Sequence, residues 1–161
     1  MEKVFGATER HDQLIVFGTN RAVLIYGYGE EDGQGYDYRH SFYHTPTKEE
    51  VRNVLIDHIN AMTDHKILTG FVWNGKSVWL SDENQRNFSE AQRVAMITEG
   101  QSLPMTFKLG EDSEGSPFYY EFTTIEELTG FYLSAVGFIQ QTLGEGWIEK
   151  DSIDLTTFGY E

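Results

Sequence analysis

Up to about residue 46 the apolar positions alternate in the manner of strands. Beyond it they fall at helical spacing in three stretches, with short β-like runs between them. Residues 13–17 (Gln-Leu-Ile-Val-Phe) and 22–26 (Ala-Val-Leu-Ile-Tyr) are rich in β-branched and aromatic side chains. Gly18-Thr19-Asn20-Arg21 joins them, which predicts a hairpin. Residues 27–35 are rich in glycine and acids and read as a mobile loop. From Tyr36 to Tyr43 alternation resumes and puts Tyr36, Tyr38, His40 and Phe42 on one face.

Pro46 ends that segment, and Thr47-Lys48-Glu49-Glu50 follows as a capping box. Val51, Val54, Leu55, His58, Ile59 and Met62 then recur at helical spacing, so a helix is expected to about Asp64. Ser81 or Asp82 caps a second helix whose apolar face carries Phe88, Ala91, Ala95 and Met96, with Gly100 as its stop. Residues 104–109 and 118–122 predict two strands joined by an exposed acidic loop at residues 110–117. A second capping box, Thr124-Ile125-Glu126-Glu127, opens the longest helix, expected over about residues 125–143. Leu128, Phe131, Tyr132, Ala135, Val136, Ile139 and Leu143 form its core stripe. Gly130 and Gly137 offer places for close backbone packing, and Gly144 and Gly146 are expected to fray the end.

The most specific local signal lies between the first two helices, in Gly70-Phe71-Val72-Trp73-Asn74-Gly75-Lys76-Ser77-Val78-Trp79-Leu80-Ser81. Asn-Gly accepts positive φ at both central turn positions, which predicts a two-residue type I′ turn. That turn sets Trp73 opposite Lys76, Phe71 opposite Val78 and Gly70 opposite Trp79. Phe71, Trp73, Val78 and Leu80 then share one face, and Val72 and Trp79 the other. A hairpin backed by solvent keeps one face polar. Here both faces are apolar, so each needs a cover, and the second cover is expected to be a partner chain.

The 161 residues suit one domain, or a domain with an arm, and are enough for a core without staples. The expected organisation is a β-rich N-terminal arm over residues 1–46 and an α+β unit over residues 47–161. The fold class expected is α+β, with small antiparallel sheets, about three helices and a long C-terminal one. No cysteine is present, which excludes disulfides and thiolate metal sites. No apolar h-region follows Met1-Glu2-Lys3-Val4, and no apolar run approaches a membrane span. With 12 basic and 26 acidic side chains the formal charge is −14, which opposes phosphate neutralisation and docking on anionic membranes. It suits high solubility or a basic partner. An acidic DNA mimic is the bolder reading and a solvated acidic surface the simpler one.

The ordered set of elements from Thr47 onward resembles an uncharacterised domain family of phage and prophage tail regions. The residues that carry the likeness are Gly70-Phe71-Val72-Trp73-Asn74-Gly75, then Val78-Trp79-Leu80-Ser81-Asp82-Glu83-Asn84-Gln85, Leu103-Pro104-Met105-Thr106-Phe107-Lys108-Leu109-Gly110, Ile125-Glu126-Glu127-Leu128-Thr129 and Gly146-Trp147. Members often end tail-fibre-associated or fibre-assembly proteins. The likeness implies a tail-associated role, in the virion or in the host cytoplasm during assembly. It carries over no catalytic residue.

Candidate chemistry is sparse. His40 and His44 have zinc spacing only on a helix, and the alternating segment around them is extended. The acids of residues 110–117 lack an EF-hand pattern. No G-x-S-x-G, Walker loop or H-E-x-x-H occurs, and Gly27-Tyr28-Gly29 is too short for a dinucleotide fingerprint. No cofactor and no catalytic residue is therefore assigned. The aromatic residues Tyr36, Tyr38, Phe42, Trp73 and Trp79 are the partner-binding candidates, each weighed against an ordinary place in the core. The reading reached is a non-catalytic tail-associated structural protein that docks onto other tail or fibre chains, or onto its own copies. A fibre-assembly chaperone, a carbohydrate-binding receptor module and an acidic host-directed inhibitor are the alternatives.

Overall fold

The computed structural model describes residues 1–112 and 114–161; position 113, in the expected acidic loop, lies outside the described residues. The fold is α+β, with three α-helices and small antiparallel sheets among the described residues, the last helix being the longest. The chain forms two compact units, one of Met1–Asn60 with Trp147–Glu161 and one of Ala61–Gly146.

The first unit is built on a four-stranded antiparallel sheet of β1 (Glu2–Phe5), β2 (Gln13–Phe17), β3 (Arg21–Glu31) and β4 (Gln34–Phe42), in the order β1-β4-β3-β2. The expected mobile loop at residues 27–35 is instead the tip of the β3–β4 hairpin. Asp32 and Gly33 take positive φ in a two-residue turn, and Glu31 pairs with Gln34. Its glycines read as loop signals because a glycine-rich stretch usually is one. At Gly29, however, the missing side chain makes room for the Tyr36 ring, which a Cβ would approach to 2.3 Å.

One sheet face carries Ala22, Leu24, Tyr26 and Phe42, all buried. It needs a cover, and it takes Val51, Leu55 and Ile59 from α1 (Lys48–Thr69) and Phe158 from the 3₁₀ helix Leu155–Phe158. This burial moves the division expected at residue 46. A four-stranded sheet with an apolar face is not an independent arm, so its unit reaches into α1 and takes in the chain's last residues. The capping box at the start of α1 is formed: Thr47 N–H donates to Glu50 Oε2 at 2.7 Å, and Glu50 N–H donates to Thr47 Oγ1 at 3.2 Å.

The second unit contains the hairpin of β5 (Phe71–Trp73) and β6 (Lys76–Val78), α2 (Asp82–Ile97), the hairpin of β7 (Met105–Glu111) and β8 (Pro117–Phe122), and the part of α3 (Ile125–Asp151) up to Gly146. Its core gathers Phe71, Val78, Leu80, Phe88, Ala95, Leu109, Phe122, Leu128 and Phe131. Phe131 sits at the centre, with ring centroids of Phe88, Phe122 and Trp73 at 4.9, 5.0 and 5.3 Å. Ser81 caps α2, its Oγ accepting from Asn84 N–H at 3.3 Å. The helix ends before Gly100, because Glu99 and Gly100 both turn left-handed after Thr98.

Both outer helices outrun their expected ends. α1 continues past Asp64 to Thr69, since Ile67 still packs on the second core. α3 continues past residue 143 to Asp151, and Gly146 does not fray it. Instead Gly146 lies against Thr63, where a Cβ would stand 2.5 Å from Oγ1. Gly130 and Gly137 run the other way: nothing stands within 4 Å of a Cβ at either, so neither marks a close approach.

Candidate functional site

The Asn74-Gly75 turn takes φ values of 49° and 75°, the left-handed pair that a type I′ turn requires. It sets Trp73 opposite Lys76, Val72 opposite Ser77 and Phe71 opposite Val78. Strand alternation then sends Phe71, Trp73 and Val78 inward and Val72 outward. The ladder stops there, and the expected Gly70–Trp79 pair does not form. Gly70 N–H closes α1 by donating to Lys66 O at 2.8 Å, and Trp79 N–H donates to Leu109 O at 2.8 Å. The second bond lays the end of the first hairpin beside β7.

A bulge between Lys108 and Gly110 lets β7 bury Leu109 while Lys108 faces outward opposite Tyr119. Lys108 Nζ lies 5.5 Å from the Trp79 ring centroid and 2.7 Å from Glu111 Oε1. The outward side of the paired hairpins therefore presents Val72 at 58% exposure, Trp79 at 36% and Tyr119 at 60%, with Lys108 among them. Such a surface buries area readily, yet its indole N–H, phenol and ammonium retain polar bonds in a wet interface.

Of the five candidates read from sequence, only Trp79 belongs to this surface. Phe42, at 6% exposure, is a core residue of the first unit and is corrected from a partner contact to packing. Trp73 is half-buried edge-on against Phe131, so it too serves the core, and its Nε1 is buried without a hydrogen-bond partner. Tyr36 and Tyr38 turn towards the protein's own rings. Tyr36 lies edge-on to Phe5 at 5.8 Å and to Tyr38 at 5.6 Å, with Lys3 Nζ 4.3 Å from its centroid. Tyr38 stacks obliquely on His58 at 4.3 Å, and burial pushes its phenol up to about 12. The alternation that grouped these rings was real, but it is the face that meets α1. Lys108 and Tyr119 were not singled out; the alternation Phe118-Tyr119-Tyr120 was their only signal, and it does not say which ring faces outward.

The remaining polar clusters have structural work. Tyr26 O–H donates to Glu149 at 2.9 Å and is pushed up to about 12 by burial and by that carboxylate. Arg10 lies 5.2 Å from the Tyr26 ring and pairs with Asp12 at 2.8 Å, while Asp12 accepts from Gly27 N–H. His40 packs on Phe42, and His44 meets Glu50 at 3.0 Å. In the acidic loop, Asp112 Oδ1 accepts from the N–H groups of Glu114 and Ser116, which closes the β7–β8 connection. Comparison of the chain with family models, with curated proteins and with solved structures returns no match.

Proposed function

We propose that this protein is a non-catalytic structural component of a bacteriophage or prophage tail that docks onto another tail or fibre chain through the outward face of its two hairpins. The observation that carries the docking is the exposure of Val72 and Trp79 on a hairpin whose other face is already in the core. Desolvating these side chains supplies the affinity. The tail setting rests on the resemblance of the chain from Thr47 onward to domains of phage tail regions.

Two measurements test the reading. Mass spectrometry of purified particles from the encoding phage or induced prophage should find peptides of this chain near-stoichiometric with tail proteins. Absence from the particles of the intact phage, together with defective fibres when the gene is deleted, would indicate an assembly chaperone instead. Trp79→Ala should fold as the wild type, because the ring is not part of the core, and should weaken capture of the tail partner at least about tenfold, as loss of a hot spot does. A folded variant with full capture would remove Trp79 from the interface.

A further inference from the structure

The second unit carries a groove of about 810 Å³ bounded by the end of α1, the start of α2 and α3. Its floor is apolar and includes Leu68, Leu80, Ile139 and Leu143. Ile139 and Leu143 stand one turn apart on α3, the spacing that forms a ridge for a packed helix. A cleft of about 110 Å³ extends the groove along α3, with Leu80, Gln85 and Ile139 lining both. Leu80 is fully buried, whereas Leu68 is exposed and Leu143 belongs to neither core cluster. The rim is acidic: Asp64, Asp82 and Glu83 against the single cation Arg86. Among the described residues none of these three carboxylates is in a salt bridge, unlike Glu90 and Glu145, which hold Arg93 and Lys66.

We propose that this groove docks an amphipathic helix with basic flanks, contributed by a partner protein. The apolar floor takes the helix's leucine-like side chains at i, i+3 and i+4, and the unpaired rim carboxylates meet lysine or arginine beside that stripe. The walls are helices and the Leu80-Ser81 segment, so an extended peptide would find no strand edge to pair with. The net charge of −14 draws a basic segment towards the molecule before contact. This surface is separate from the outward hairpin face and does not depend on it.

The test uses the full chain and a labelled peptide of leucine and lysine in amphipathic helical order, with a scrambled peptide of the same composition as control. Fluorescence anisotropy should show saturable one-to-one binding of the ordered peptide, and amide shift mapping should place it on α1, α2 and α3 at the groove. Leu68→Ser with Leu143→Ser, and separately Asp64→Lys with Glu83→Lys, should each weaken binding at least about tenfold. Glu99→Lys with Glu126→Lys, which makes the same charge change at exposed acids outside the groove, should have a much smaller effect. Trp79→Ala should have none, so failure here is distinguishable from failure of the hairpin surface. The proposal is overturned by no binding, by equal binding of the scrambled peptide, by an equal loss in the Glu99/Glu126 variant, or by shifts that map elsewhere.

Discussion

His58 shows how a single buried side chain ties stability to pH. It stands at 7% exposure between Tyr38 at 4.3 Å and Tyr26 at 6.1 Å. Burial, and then the nearby amino terminus, push its imidazole down to about 4. The unfolded chain takes a proton near the ordinary value of about 6.5, while the folded chain refuses it until about 4. The contribution of neutral His58 is therefore fully present above that ordinary value and is lost as pH falls towards 4, by up to about 3 kcal/mol. Protonation of surface carboxylates relieves repulsion over the same range, so the signature is a difference. Urea melts at neutral pH and near pH 4.5 should show the wild type losing more stability than His58→Phe. Equal losses would mean that His58 does not carry the acid sensitivity. The same scale explains why aromatic residues were misassigned from sequence. Phe42, Trp73 and Trp79 are all large aromatic side chains suited to core or interface, and the direction of each Cα–Cβ bond relative to a packed neighbour separates core from surface.

At the scale of elements, the Thr47 capping box, the Thr124 hydroxyl that accepts from Glu127 N–H, and the Asn-Gly turn work as local chemistry requires, because their partners lie within a few residues. At the second box the Glu127 carboxylate accepts from Thr123 N–H instead of Thr124 N–H. The glycines of α3 do not follow from local rules. Gly130 and Gly137 face open space, so replacing either by alanine should stabilise the protein by about 0.5–1 kcal/mol through helix propensity alone. Gly146→Ala should instead destabilise it, since its Cβ meets the Thr63 side chain. Thermal melts of the three variants settle this, and a stabilised Gly146→Ala would contradict the observed packing. The ends of α1 and α3 and the extended β3–β4 hairpin were likewise set by contacts made far along the chain rather than by the residues at those ends.

At the scale of the molecule, acids outnumber bases by 26 to 12, and self-repulsion opposes the compact state. Raising sodium chloride from about 20 mM to about 0.5 M shortens the Debye length severalfold and should raise the melting temperature. A falling melting temperature would mean that exposed pairs such as Lys66–Glu145 and Arg93–Glu90 outweigh the repulsion. Much of the architecture was legible along the chain: the α+β class, the three helices, the β2–β3, β5–β6 and β7–β8 hairpins, and the Trp73–Lys76 and Phe71–Val78 pairs of the tryptophan hairpin, whereas β1 and the pairing within residues 27–35 were not. Period, caps and turn residues act over a few residues, so those elements follow from neighbouring side chains alone. The division into units was not legible, because the sheet of the first unit finds its cover in Phe158, more than a hundred residues beyond the strands it protects. Nor was the candidate surface. Trp79 reads the same whether it is buried or exposed, and Lys108 and Tyr119 join it only because Trp79 N–H bonds to Leu109 O across two hairpins. Local chemistry therefore determined which elements form, and only tertiary contacts decided which apolar faces remain open, because burial depends on what a distant segment covers.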